Sequence, residues 1–348
     1  MTVGYFAPLP PARSGVADYA ADLLPLLPAR VNAPGDVNLY HIGNNQLHRD
    51  IYARALREPG VVVLHDAVLH HFFLGSLGES AYLEEFVYNY GEWARELAGE
   101  LWRDRSRSAT DPRYFRYGML RRLVERSRVV IVHNAEAARR VGEKARVVPH
   151  YFKPPVLPDG WRVERWRAER GLRPSTMLFG VMGYLRESKR VLGVVRTFRR
   201  LRAAGVEAAM VLAGEIGSTD LARALEWEGL LRVGHMGEEE FWLVASAVDV
   251  VVNLRYPASG ETSGIGVRLM GIGKPVLTSD GEGLGVAVGL GEEEGLLATM
   301  RLLTEGPARV RDYGLVLRER VRRENSLERV AAGYETVLRE AARRLLPT

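Results

Sequence analysis

Residues 249–280 read DVVVNLRYPASGETSGIGVRLMGIGKPVLTSD. The apolar run Val248–Leu254 is too short and too β-branched for a helix and predicts a buried strand. A loop of small residues follows, then an apolar segment from Gly264 to Met270 that predicts a helix, and Pro275–Thr278 predicts a second strand. Strand, loop, helix and strand in this order form a parallel crossover unit, which makes the fold class α/β. Such a loop points its free N–H groups, and the positive end of the helix dipole, at whatever lies before the helix, a site suited to phosphate oxygens. Glu261 is unexpected there, because a carboxylate repels phosphate. Two readings stay open: it faces the hydroxyls of a ligand, or it caps the helix start and compensates its dipole.

The same alternation extends in both directions. In the second half, Met177–Met182 and Ala208–Ala213 predict strands, and Arg190–Ala203, Leu221–Glu228 and Glu238–Ala247 predict helices. In the first half, Val3–Phe6, Val37–Ile42, Val61–Leu64, Val129–Val132 and Arg146–Val148 predict strands. Helices are expected over Val16–Leu24, Gln46–Leu56, Tyr82–Trp102, Tyr114–Arg126 and Ala135–Val141, and a helical tail from Glu292 ends with Leu327–Leu346. The proline-rich stretch PHYFKPPVLPDG at 149–160 predicts a linker or long surface connection. Three parts are expected: 1–150, 151–325 and a terminal helix within 326–348 that packs back on the first. Ligands of such folds bind beyond the carboxyl ends of the strands.

Composition narrows the function. The chain has 348 residues and no cysteine, which excludes a disulfide scaffold, a Cys-based metal site and a Cys nucleophile. It has neither a signal-peptide pattern at the start nor an apolar run long enough to span a bilayer, so a cytoplasmic location is expected. The formal charge of +5 is spread over both halves, which does not suit a nucleic-acid-binding domain. Residues 103–128 carry nine arginines against three acids, with Trp102, Tyr114, Phe115 and Tyr117 interleaved. That face could lie peripherally on anionic lipid at the inner surface of a membrane, although a solvated helix surface is the simpler reading. There is no G-x-G-x-x-G opening a βαβ unit, no P-loop, no H-E-x-x-H, no G-x-S-x-G and no Asp-x-Asp pair. A diphosphate would therefore be neutralised by protein cations and backbone N–H groups, with no metal or cofactor called for.

Three further clusters carry chemistry. Gly183-Tyr-Leu-Arg186-Glu-Ser-Lys189-Arg190 places three cations after a strand, and Lys189 stands out in a chain with few lysines. Val61-Val-Val-Leu-His65-Asp66 ends a strand in His-Asp, with His70 and His71 close behind; a metal site there is weakly signalled, and His133 and Asn134 read as structural or rim residues. Pro10-Pro-Ala-Arg-Ser14-Gly15 precedes the first helix, where Gly15 would let a ligand approach the backbone or Ser14 simply caps a turn.

Taken in order, PLPPARSGVADY, VVVLHD, VIVHNAEAARRV, VVPHY, FGVMGYLRESKR, MVLAGE, VGHMGEEEF and the 249–280 stretch resemble the family-four retaining glycosyltransferases (group 1) of GT-B architecture. The resemblance implies two Rossmann-like domains and transfer of a sugar, with retention and without a required metal, from a UDP- or GDP-sugar to a glycan, glycolipid or small-molecule acceptor. By position it implies that Glu261 binds hydroxyls of the transferred sugar and His65 lies near the reacting centre. It makes Thr262, Ser263, Gly264 and Ile265 the diphosphate cradle and Lys189 the phosphate cation, with Arg186 as a second cation. Gly15 would let the first loop approach the donor, and His235 and Met236 would border the base. Two positions depart from the family: Leu269 stands where a ribose-binding Glu is usual, and Tyr184 where a phosphate Arg is usual. A sugar-nucleotide epimerase and a non-catalytic nucleotide-sugar-binding or scaffold protein are the alternative readings.

Overall fold

A computed structural model describes residues 1–12, 14–279, 285–288 and 293–343. Arg13, Asp280 at the end of the quoted stretch, Glu292 at the start of the expected tail and the last five residues, including Leu346, lie outside the described residues. The chain forms two compact units: Met1–Tyr151 with Pro257–Thr262 and Leu327–Thr348, and Phe152–Tyr256 with Ser263–Ser326.

The first unit is built on β1 (Val3–Phe6), β2 (Ala29–Val31), β3 (Val37–Ile42), β4 (Val61–Leu64), β5 (Val129–Val132) and β6 (Ala145–Val147). They form one parallel sheet in the order β2-β1-β3-β4-β5-β6. The inner strands are apolar on both sides because helices cover both faces, and the pleat sorts their residues. Val3, Tyr5, Leu39, Val61, Val63, Val129 and Ile131 pack on one face, while Phe6, Tyr40, Ile42, Val62, Leu64, Val130 and Val132 pack on the other. The first face is closed by helix Gly15–Leu23 and by the terminal helix Leu327–Arg343, whose Val330, Tyr334, Val337, Leu338 and Ala341 enter that core. Tyr19 and Tyr334 join their hydroxyls at 3.0 Å, and Arg146 makes a two-toothed ion pair with Glu340.

The second unit repeats the plan with β7 (Met177–Met182), β8 (Ala208–Ala213), β9 (Leu231–Val233), β10 (Val250–Asn253), β11 (Val276–Ser279) and β12 (Val286–Val288). The order is β12-β11-β10-β7-β8-β9, again parallel throughout. Chain order reverses between β7 and β10, the place where ligands of doubly wound sheets bind.

Several expectations change. The single helix expected over Tyr82–Trp102 is two, Glu79–Tyr90 and Arg95–Arg103, because Gly91 at φ 92° and ψ 165° cannot continue a helix. Tyr114–Arg126 likewise splits into Arg113–Arg116 and Arg121–Arg126 around Met119 at φ 53°. Tyr114 does not lie on a basic surface: it is fully buried and donates its hydroxyl to the Leu101 carbonyl. Of the arginines on that face, Arg113, Arg121 and Arg122 are ion-paired. The proline-rich connection is anchored, with Tyr151 and Phe152 buried and Phe152 bridged to Ser326. No helix among the described residues is long and apolar enough to cross a membrane.

Candidate functional site

In the second unit, the loops leaving β7 and β10 meet at the point of chain reversal. Gly183 follows β7 at φ 85°, a conformation that strains any side chain, and a Cβ there would overlap the Ile265 side chain and lie 3.3 Å from Lys189 Nζ. The short turn after it buries Lys189 to 5% exposure and aims its ammonium at the Met182 carbonyl, 2.5 Å away. No carboxylate pairs with Lys189 among the described residues. Burial and the neighbouring Arg255 and Arg186 charges lower its pKa to about 7.

Arg255 is the residue that sequence reasoning missed. It leaves β10 directly, its N–H is fixed on Ser279 Oγ at 2.7 Å, and its guanidinium donates to Ser263 Oγ at 3.2 Å. Its one sequence signal is its place at the carboxyl end of DVVVNL, and its neighbours Tyr256 and Pro257 made it read as loop. Ser263 caps helix Gly264–Gly271 by accepting from the Gly266 N–H at 3.1 Å, so the cap of this helix is Ser263 and not Glu261. The N–H groups of Gly264 and Ile265 then have no partner among the described residues. Lys189, Arg186 and Arg255 with two open amides at a helix N-terminus form a site that attracts an anion with several oxygens. Arg186 itself is exposed.

The remaining positions of this unit that the sequence singles out are less committed. His235 is exposed and Met236 half-buried just after β9, an edge strand, with Met236 packed on the core. Leu269 is fully buried among Val251, Val267 and Leu317, so this position serves the core. Tyr184 is exposed.

In the first unit, residues 257–262 are held on the carboxyl ends of β4 and β5. Asn134 caps helix Ala135–Val141 through its carbonyl oxygen, while its amide donates to the Gly260 carbonyl at 3.1 Å and to Thr262 Oγ1 at 2.9 Å. Gly260 takes φ 70°, and its Cα lies so close to Ala67 that a Cβ would come within 2.8 Å of the alanine methyl. Ser259 sits between two carboxylates: its N–H donates to Glu261 Oε2 at 2.8 Å, and its hydroxyl lies against Glu261 Oε2 and 3.4 Å from Asp66 Oδ1. Glu261 is thus oriented by its own loop. Asn134, expected as a structural or rim residue, and Ser259 organise this segment.

His65 follows β4 with its N–H on the Ile42 carbonyl. Both of its ring nitrogens are engaged, Nε2 with His41 Nδ1 at 3.0 Å and Nδ1 with His133 Nε2 at 3.3 Å. His70 and His71 do not join it: His70 binds Tyr82 and the Tyr117 carbonyl, and His71 binds Asn44 and the Ser108 carbonyl. Among the described residues no group of three or more His, Asp or Glu is placed to hold a metal ion. Gly15 opens helix Gly15–Leu23 behind the Ser14 cap, and a Cβ there would meet nothing within 4 Å, so the packing of the described residues does not require glycine.

No protein-family model matches the chain, and no curated protein matches it. Solved structures do. HepE of Anabaena, in complex with UDP and glucose, is 12% identical over 98% of this chain and 100% of that chain, with a TM-score of 0.60. Sucrose-phosphate synthase from Thermosynechococcus elongatus is 16% identical over 87% and 73%, with a TM-score of 0.57. A glycosyltransferase from Rickettsia africae is 10% identical over 98% and 98%, with a TM-score of 0.58. With its two six-stranded parallel sheets, the chain shares the GT-B fold of these structures.

Proposed function

We propose that the chain transfers a sugar, with retention of configuration and without a divalent metal, from a nucleotide-diphosphate sugar to an acceptor. The observation that carries this reading is Lys189, a buried side chain whose amino group donates to the Met182 carbonyl and meets no carboxylate among the described residues, flanked by Arg186 and Arg255 beside a capped helix start. Positive charge gathered at a sheet's reversal point suits a pyrophosphate. As the glycosidic bond breaks, the departing diphosphate gains negative charge, and these groups are already aimed at it. Thr262, Ser263, Gly264 and Ile265 supply hydroxyls and amides to that cradle. Glu261, steadied by Ser259, binds hydroxyls of the transferred sugar, and His65 lies near the same sugar. Gly15 leaves room for the donor, and His235 and Met236 border the base. HepE, whose structures hold UDP and UDP-glucose, supports a uridine nucleotide as the first donor to try.

The test is incubation of the full chain with UDP-glucose and GDP-mannose in EDTA, with and without a panel of sugar and lipid-linked acceptors. The proposal expects a glycosylated product of the same anomeric configuration as the donor. An epimerised donor formed without acceptor, or nucleotide binding with no turnover under any condition, contradicts it.

A further inference from the structure

His65 is the middle member of a row of three imidazoles in the first unit. At one end, His133 Nδ1 lies 2.9 Å from the Val148 carbonyl, and a carbonyl can only accept, so His133 carries its hydrogen on Nδ1. A neutral His133 then presents a bare Nε2 to His65, which must donate from Nδ1 across 3.3 Å. His65 Nε2 is bare in turn and accepts from His41 Nδ1 across 3.0 Å. This leaves His41 Nε2 without hydrogen, and that atom is buried with no hydrogen-bond partner among the described residues. The opposite direction fails at both ends: it sets a lone pair against the Val148 oxygen and strands a buried N–H on His41. Buried N–H groups without partners are rarer and costlier than unused lone pairs.

The rings around the row favour neutrality. Tyr5 and Tyr334 flank His41, and Tyr19 packs on His65, His133 and His150. The Tyr19 and Tyr334 hydroxyls bind each other, and the Tyr151 hydroxyl donates to Asp22. Burial lowers the pKa of His41 and of His133 to about 3 and that of His65 well below the usual histidine range.

We propose that His133, by reading the Val148 carbonyl, is a positioning residue that fixes His65 as a neutral ring with hydrogen on Nδ1 and a lone pair on Nε2. With its Nδ1 hydrogen given to His133 and its Nε2 lone pair taken by the buried His41, His65 lies beside the sugar as a neutral ring that delivers no proton to it. The part that concerns sugar rests on the proposed role of His65; the direction of the row does not.

The test is two-bond nitrogen–proton correlation NMR on the full chain labelled with 15N-histidine, assigned with His41→Gln, His65→Gln and His133→Gln. His41, His65 and His133 are expected as Nδ1–H tautomers at pH 7.5. His133→Gln, whose side-chain carbonyl can accept, keeps the His65 tautomer, whereas His133→Leu leaves both tautomers populated. Turnover with UDP-glucose follows the same order, with kcat about tenfold lower in His133→Leu, restored in His133→Gln, and KM for the donor little changed. An Nε2–H tautomer at His65 in the wild type overturns the proposal, as does a single unchanged tautomer in His133→Leu. If His133→Leu does not fold, the wild-type spectrum decides alone. The expected tautomers with full turnover in His65→Gln would support the row and overturn the sugar contact, which separates the two failures.

Discussion

Lys189 concentrates the physical argument. Removing an ammonium from water disfavours its charge, two arginines disfavour it further, and its pKa falls to about 7. Near neutrality the free chain is therefore expected to hold Lys189 only partly protonated, and a diphosphate bound as proposed would restore the charge. Nucleotide binding at pH 8 is expected to take up close to one proton, read as a dependence of calorimetric enthalpy on the buffer's ionisation heat. Affinity should weaken by up to about tenfold per pH unit above 7. Ser259→Ala should lower turnover about tenfold or more with little loss of stability, since it frees the Glu261 carboxylate from the hydroxyl that orients it; unchanged turnover would remove Ser259 from the site. Lys189 was legible in the sequence as a rare lysine at a strand end. Arg255 was not, and Asn134 was legible only as a structural or rim residue, because their partners are Ser279, Ser263, Gly260 and Thr262, which only folding brings to them.

Strands were the most legible elements, since a parallel strand covered on both faces is a short run of Val, Ile and Leu whatever surrounds it. Val61–Leu64 and Val129–Val132 are read directly from such runs. β2 and helix Gly160–Ala168 were missed for the complementary reason: Ala29–Val31 is an edge strand with no fully buried residue, and GWRVERWRA carries charge at four of its nine positions and buries only Trp166. The terminal helix matters more than its position suggests. Tyr334 is fully buried in the first unit, so Tyr334→Ala should destabilise that unit by about 3 kcal/mol or more, seen as a lower urea midpoint at unchanged slope. Tyr334→Phe, which removes one hydroxyl pair, should cost about 1 kcal/mol. In the second unit, Gly183→Ala forces a side chain onto Ile265 in a left-handed backbone and should weaken nucleotide binding as well as stability. A Gly183→Ala protein with both unchanged would contradict the packing that places Lys189.

The whole chain should be acid-sensitive. His41 and His133 titrate near pH 3 when folded but near 6.5 when unfolded, so the folded state requires them neutral. Their stabilisation is complete above about pH 6.5 and is lost as pH falls toward 3, by about 1.4 kcal/mol per unit for each ring that must stay neutral. Thermal melts between pH 7.5 and 5 should show a falling midpoint, with a shallower fall in His41→Gln. The functional account, in contrast, stands on the cation cluster after β7 and β10. Its most direct test is calorimetric titration of UDP into the full chain and into Lys189→Met, both in EDTA at pH 7. Saturable binding to the wild type, at least tenfold weaker in the variant, is the predicted result. No binding to the wild type, or equal binding to both, would contradict the account.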